Sequence, residues 1–171
     1  AELMVFARYV MFSEVYWHHA VRAATAMLQR AVWLARSTLD PAAVVQCDDR
    51  GFVELLTTAA TGSPAAPLVA GLFGSTRRLF KRAATYDARH SPDVHRSLAG
   101  RSYAEMARVS TRLAEAVSGR LGHSIAPQTL IVDAPPAERE VEFRLQVRDR
   151  SAPQAAPAWR WLEDLSPVVR S

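Results

Sequence analysis

The chain of 171 residues has a single cysteine, Cys47. One thiol excludes an intramolecular disulfide framework and a cysteine-rich zinc site. A reducing cytoplasm is its simplest setting. Lysine is equally scarce: Lys81 stands alone, so the other cations among the 21 Lys and Arg residues are all arginine. Arginine offers a planar fork suited to phosphates. A GC-rich coding sequence explains the arginine excess as a whole, so local clusters say more than the net charge of +4. Familiar catalytic signatures are missing too. The chain has no His-Asp dipeptide, HExxH, phosphate-binding glycine loop or GxSxG elbow. It therefore carries no recognisable active site of its own.

Glycine and proline are absent from Leu3 to Leu39, and this stretch predicts one long helix rich in Ala, Leu, Met, Gln and Arg. Between Leu3 and Trp17, only Arg8, Ser13 and Glu14 are strongly polar. Apolar side chains then surround the helix, which is the pattern of a buried one. From His18 onward it becomes amphipathic. Arg22, Thr25, Gln29 and Arg36 fall on one side; Ala20, Ala24, Met27, Leu28, Ala31 and Leu34 fall on the other. The apolar run is shorter than the roughly 20 residues that span a bilayer. Arg8 and Glu14 would be costly in lipid, so no membrane is expected. No basic leader or cleavage site marks a signal peptide. The first half of the helix needs walls, which leads us to expect a fragment whose preceding part packs around Leu3–Trp17.

Further along, Asp40-Pro41 predicts a capped short helix. Asp48–Gly51 reads as a turn, and Phe52–Ala60 and Pro67–Phe73 as helices, the latter closed by Gly74. Arg77-Arg78-Leu79-Phe80-Lys81-Arg82, continuing to Tyr86, reads as a short strand or a helix-to-strand junction. Asp87–Gly100 reads as a polar loop. Ser102-Tyr103-Ala104-Glu105 fits a capping box that opens a helix ending near Leu121 and Gly122. Tyr103, Met106, Ala107, Leu113, Ala114 and Val117 give that helix an apolar side. Val141–Arg148 alternates apolar and polar residues, which predicts a half-buried strand paired antiparallel with Leu130–Asp133. The expected fold is α+β and mainly helical. It has a long buried N-terminal helix, further helices and a small late antiparallel sheet.

Two basic groupings stand out. On a continuous helix, His19 and Arg22 fall within roughly 40° of Arg8, and Tyr16 within roughly 80°. A buried Arg8 needs an anionic partner, either a structural carboxylate or a ligand. The second grouping is Arg77, Arg78, Lys81 and Arg82, read either as a triphosphate site or as a solvated basic edge. The adjacent His18 and His19 point roughly 100° apart on a helix and do not easily share a metal. His90 and His95 flank Asp93 in a stretch that reads as a solvated loop, with a metal site as the sharper alternative.

The segment FARYVMFSEVYWHHAVRAATAML resembles the helix that follows the metal-binding core in HD-domain deoxynucleoside triphosphate triphosphohydrolases. Ala7, Arg8, Tyr9, Met11, Val15, Tyr16, His18, Val21 and Arg22 match that pattern, and His19 stands where Lys is usual. Gly71-Leu72-Phe73 with Arg77–Lys81, Leu130–Pro136 and Leu165–Val169 resemble later segments of the same family. The resemblance implies that residues 1–39 are the last core helix of the HD-type domain and 40–171 a C-terminal α+β lobe. It implies substrate contacts by Arg8 and Tyr16, and effector contacts by His18, His19, Arg77 and Lys81. It implies nucleoside triphosphates as ligands, an upstream HD core as partner, and a homo-oligomer. The His, His-Asp and Asp ligands of the family's divalent metal are not in this chain, so the metal is expected in that core. The chain alone is then expected to be inactive. Two other classes stay open: a non-enzymatic helical interaction module and a basic nucleic-acid-binding module.

Overall fold

The structure, a computed structural model, describes residues 2–11, 15, 18–86, 90–134, 146–148 and 159–161. It is mainly helical, with a small late antiparallel sheet. The chain divides into two compact units, Ala1–His18 with Glu138–Ser171, and His19–Ala137.

The first unit holds helix α1 (Glu2–Met11) and strands β1 (Gln146–Arg148) and β2 (Trp159–Trp161). β1 pairs antiparallel with β2, with Val147 opposite Arg160. This corrects the expected pairing with Leu130–Asp133. That segment is not a strand, because its groups are engaged elsewhere: the Val132 amide donates to the Ser110 hydroxyl and the Asp133 carboxylate accepts from Arg22. The expected strand residues 141–145 lie outside the described residues.

The N-terminal helix also departs from expectation. It does not run unbroken to Leu39. Val15 has π-helical geometry, His18 lies outside any helix, and α2 begins at His19. The His18 amide bonds back to the Val15 carbonyl at 3.3 Å, a three-residue closure that interrupts the four-residue ladder. Nor are the described apolar side chains of α1 buried. Leu3 is 81% exposed and Met4 63%.

The core of the second unit comes from α2 (His19–Ala35), α4 (Asp49–Ala60) and α5 (Ala66–Phe73), with Ala65 just ahead of α5. Met27, Ala31 and Ala35 follow one another at four-residue steps, so they form one stripe on α2. Leu56 and Ala60 of α4 and Leu68, Val69 and Leu72 of α5 close on that stripe. Full burial of a side chain such as Leu56 stabilises by about 1.5–3 kcal/mol. Between α2 and α4, Asp40 caps the short α3 (Pro41–Gln46) through the Ala42 amide at 3.0 Å. Asp48 is a cap as well, accepting from the Gly51 amide at 2.8 Å. The expected turn at Asp48–Gly51 is therefore the first turn of α4.

Residues 77–86 form no strand. The Arg78 amide turns back to the Gly71 carbonyl at 2.8 Å, so this backbone closes on α5. The expected loop after Tyr86 contains a helix, α6 (Pro92–Leu98). Proline suits its first position, and Arg96 pairs with Asp93 one turn away at 2.9 Å.

Helix α7 (Tyr103–Leu121) forms as its signals predict. Ser102 and Glu105 make the capping box, and Gly122 ends the helix at a left-handed φ of 71°. Its buried side is Met106, Ala107, Ser110 and Ala114, while Leu113 is exposed. Two serines hold the chain that follows. The Ser118 hydroxyl accepts from the Ile125 amide at 2.8 Å, and the Ser110 hydroxyl accepts from Val132 at 3.1 Å.

Candidate functional site

The basic segment after α5 is anchored on one side and open on the other. Gly71 permits its approach: a Cβ there would lie 2.8 Å from the Arg78 carbonyl oxygen and 3.0 Å from the end of Met27. Beyond Arg78, the Phe80 amide points to the Met27 sulfur at 3.3 Å. Leu79 and Phe80 pack against the core. Arg77, Arg78, Lys81 and Arg82 are left exposed, and among the described residues none forms an ion pair or a side-chain hydrogen bond. The arrangement is a held backbone presenting unneutralised cations. Such a segment can receive a polyanion through charge-assisted hydrogen bonds.

At the start of α2, Arg22 grips Asp133 with two nitrogens on two oxygens, at 2.8 and 2.5 Å. The fork-to-fork geometry joins α2 to the segment after α7. His19 is the first residue of α2, one turn before Arg22, and is exposed, as is His18. Arg8 is exposed on α1. Tyr16 lies outside the described residues. The expected angular grouping of Arg8, His19 and Arg22 assumed an unbroken helix, and the interruption at His18 removes that basis.

One cluster escaped the sequence reading. Arg30 is buried to 4% exposure on the core side of α2. Its guanidinium lies over the Tyr103 ring, 5.8 Å from the centroid. Tyr103 in turn packs against Trp33, with centroids 5.4 Å apart. Burial pushes the Tyr103 phenol above its ordinary range; Arg30 opposes that shift and Asp133 adds to it. The signal was available. Arg30 lies four residues after Ala26 and three after Met27, which places it on the buried face.

Among the described residues, no group of three or more His, Cys, Asp or Glu side chains comes together to hold a metal. His95 lies on α6 and His90 just before it, without such a cluster. No helix among the described residues is long and apolar enough to cross a membrane.

The family profile described as HD associated region matches residues 1–171. The chain belongs to the HD associated region family. No curated protein and no solved structure matches it. Membership links the chain to HD-domain proteins. The match includes both the helix-break region at His18–His19 and the basic segment at Arg77–Arg82.

Proposed function

We propose that this HD associated region works as the C-terminal lobe of a metal-dependent HD-domain phosphohydrolase acting on (deoxy)nucleoside triphosphates. In this reading the HD core holds the divalent metal and carries out hydrolysis. The lobe supplies Arg8 and Tyr16 to the substrate pocket. His18, His19, Arg77 and Lys81 contact an effector nucleotide where subunits of a homo-oligomer meet. The observation that carries the reading is the family match over the whole chain, joined to the arginine-tyrosine-histidine pattern of residues 7–22.

Two structural features support it. Arg77 and Lys81 are exposed cations on a backbone pinned by Gly71 and Met27, and this suits phosphate capture. Leu3, Met4, Met11 and Val15 are exposed apolar residues, and this suits a face that docks on the HD core. The proposed role of Arg8 is to neutralise phosphate charge, which a low-dielectric pocket makes effective.

The test uses the protein joined to its HD core. Arg8→Ala should lower turnover of deoxynucleoside triphosphates, measured as triphosphate release. Unchanged turnover removes Arg8 from the pocket. Arg77→Ala with Lys81→Ala should weaken effector activation or oligomer formation; no change in either rejects the effector role. The coding sequence preceding Ala1 should also specify a His…His-Asp…Asp set.

A further inference from the structure

A largely buried guanidinium is costly unless an anion or water answers it. Arg30 is 4% exposed. Among the described residues it makes neither an ion pair nor a hydrogen bond, and its Nε is buried without an acceptor. Its one favourable contact is with the Tyr103 ring at 5.8 Å. The hydroxyl of that same ring is also buried without a partner. Buried polar groups are almost always satisfied, so two exceptions on neighbouring side chains, Arg30 Nε and Tyr103 Oη, need an explanation.

The surrounding charges indicate what is missing. Asp133 is the nearby carboxylate, and Arg22 already occupies both its oxygens. Arg36 lies over the Trp33 ring at 4.0 Å, again with no carboxylate partner among the described residues. The Trp33 and Tyr103 rings are neighbours. A buried guanidinium, Arg30, and an exposed one, Arg36, whose Nη1 donates to the Trp33 carbonyl, thus flank one aromatic pair. This excess favours a doubly charged anion over a single carboxylate. The donors match as well: a guanidinium fork and a phenol hydroxyl both donate to oxygen. The Tyr103 phenol is protonated at neutral pH and so is a donor, and burial raises its pKa further. Tyr103 also lines an open, largely apolar groove of about 400 Å³ with Leu28, Gln29, Val32, Trp33, Arg36 and Phe52; Arg30 is not part of its wall.

We infer that Arg30 and Tyr103 form a binding site for a phosphate-class oxyanion, separate from Arg77 and Lys81. The phosphoryl group is either free or carried by a nucleotide. This site does not depend on the proposed hydrolase role, because it rests on residues outside that assignment.

The experiment is a thermal-unfolding titration of the chain with inorganic phosphate against sodium chloride of matched ionic strength. A second titration uses a deoxynucleoside triphosphate. Phosphate should raise the Tm where chloride does not. Arg30→Met removes the charge at similar volume, and it should abolish the phosphate response without lowering stability in phosphate-free buffer. Tyr103→Phe keeps the ring and should weaken phosphate binding by about tenfold. Tighter Arg30-dependent binding of the nucleotide identifies a nucleotide-borne phosphate; equal or weaker binding identifies the free ion. The proposal is overturned if chloride reproduces the shift, if Arg30→Met responds like the parent, or if Tyr103→Phe binds unchanged. It is also overturned if Arg30→Met is strongly destabilised without phosphate, which would show a structural partner for the charge.

Discussion

The Arg78 amide donates to the Gly71 carbonyl at 2.8 Å, and the Arg78 carbonyl oxygen lies 2.8 Å from where a Gly71 Cβ would stand. The basic segment therefore rests on α5 with no room for a side chain between them. The same virtual Cβ is 3.0 Å from the Met27 terminal carbon, which can swing aside. The backbone oxygen cannot do so without moving Arg78.

Gly71→Ala should destabilise the fold by about 1–3 kcal/mol, the usual cost of overpacking. Chemical denaturation measures this directly. Hydrogen exchange at the Arg78 amide should accelerate as its bond to Gly71 opens. Unchanged stability and unchanged exchange would show that the segment is not held this way.

Ser110 is fully buried, and its hydroxyl is the acceptor for the Val132 amide at 3.1 Å. Ser110→Ala removes the acceptor and leaves a buried N–H without a partner. The expected loss is about 1–3 kcal/mol. Urea melts of Ser110→Ala against the parent give the number. A loss no larger than an ordinary surface substitution, about 0.5 kcal/mol, would mean that water replaces the hydroxyl.

Glu105 predicts a pH dependence. Hydrogen bonds from the Ser102 side chain and backbone hold its carboxyl below the ordinary glutamate range, and Arg101 and Arg108 act in the same direction. A carboxyl with a depressed folded pKa contributes stability above its unfolded value. That contribution fades as pH falls through the folded value. The Tm advantage of the parent over Glu105→Gln should therefore shrink as pH drops below the ordinary glutamate pKa. A gap that stays constant across that window would separate the charge of Glu105 from the cap. Because the group is exposed, added salt should reduce the gap as well.

Local signals in the sequence translated into structure wherever neighbours along the chain satisfy them. The Asp40 cap, the Ser102–Glu105 box and the Gly122 terminus each bond within a few residues, and each formed. Pro67–Phe73 reads as a short helix closed by Gly74, and α5 is that helix with one residue more at its start. Readings failed where a distant partner decided the outcome. Leu130–Asp133 has the composition of a strand, but Ser110 and Arg22 hold its groups. Residues 77–86 look extended, but Gly71 turns the backbone onto α5. A continuous helix through His18 followed from composition, and backbone closure at Val15 interrupts it. Arg77 and Lys81 were legible as a basic grouping because the charges are close in sequence. The Arg30–Tyr103 pair joins residues far apart in the chain, and no spacing rule connects them.

The amino-acid order alone determined the helix ends marked by Asp40, Ser102 and Gly122, because caps act over one or two turns. It also carries the arginine-tyrosine-histidine pattern of residues 7–22 on which the proposed function rests. Only tertiary structure decided which strand pairs with which, which cations stay unneutralised, and which ring Arg30 meets. Those outcomes depend on which distant groups compete for the same hydrogen bonds and charges, and that competition is settled only when the helices pack.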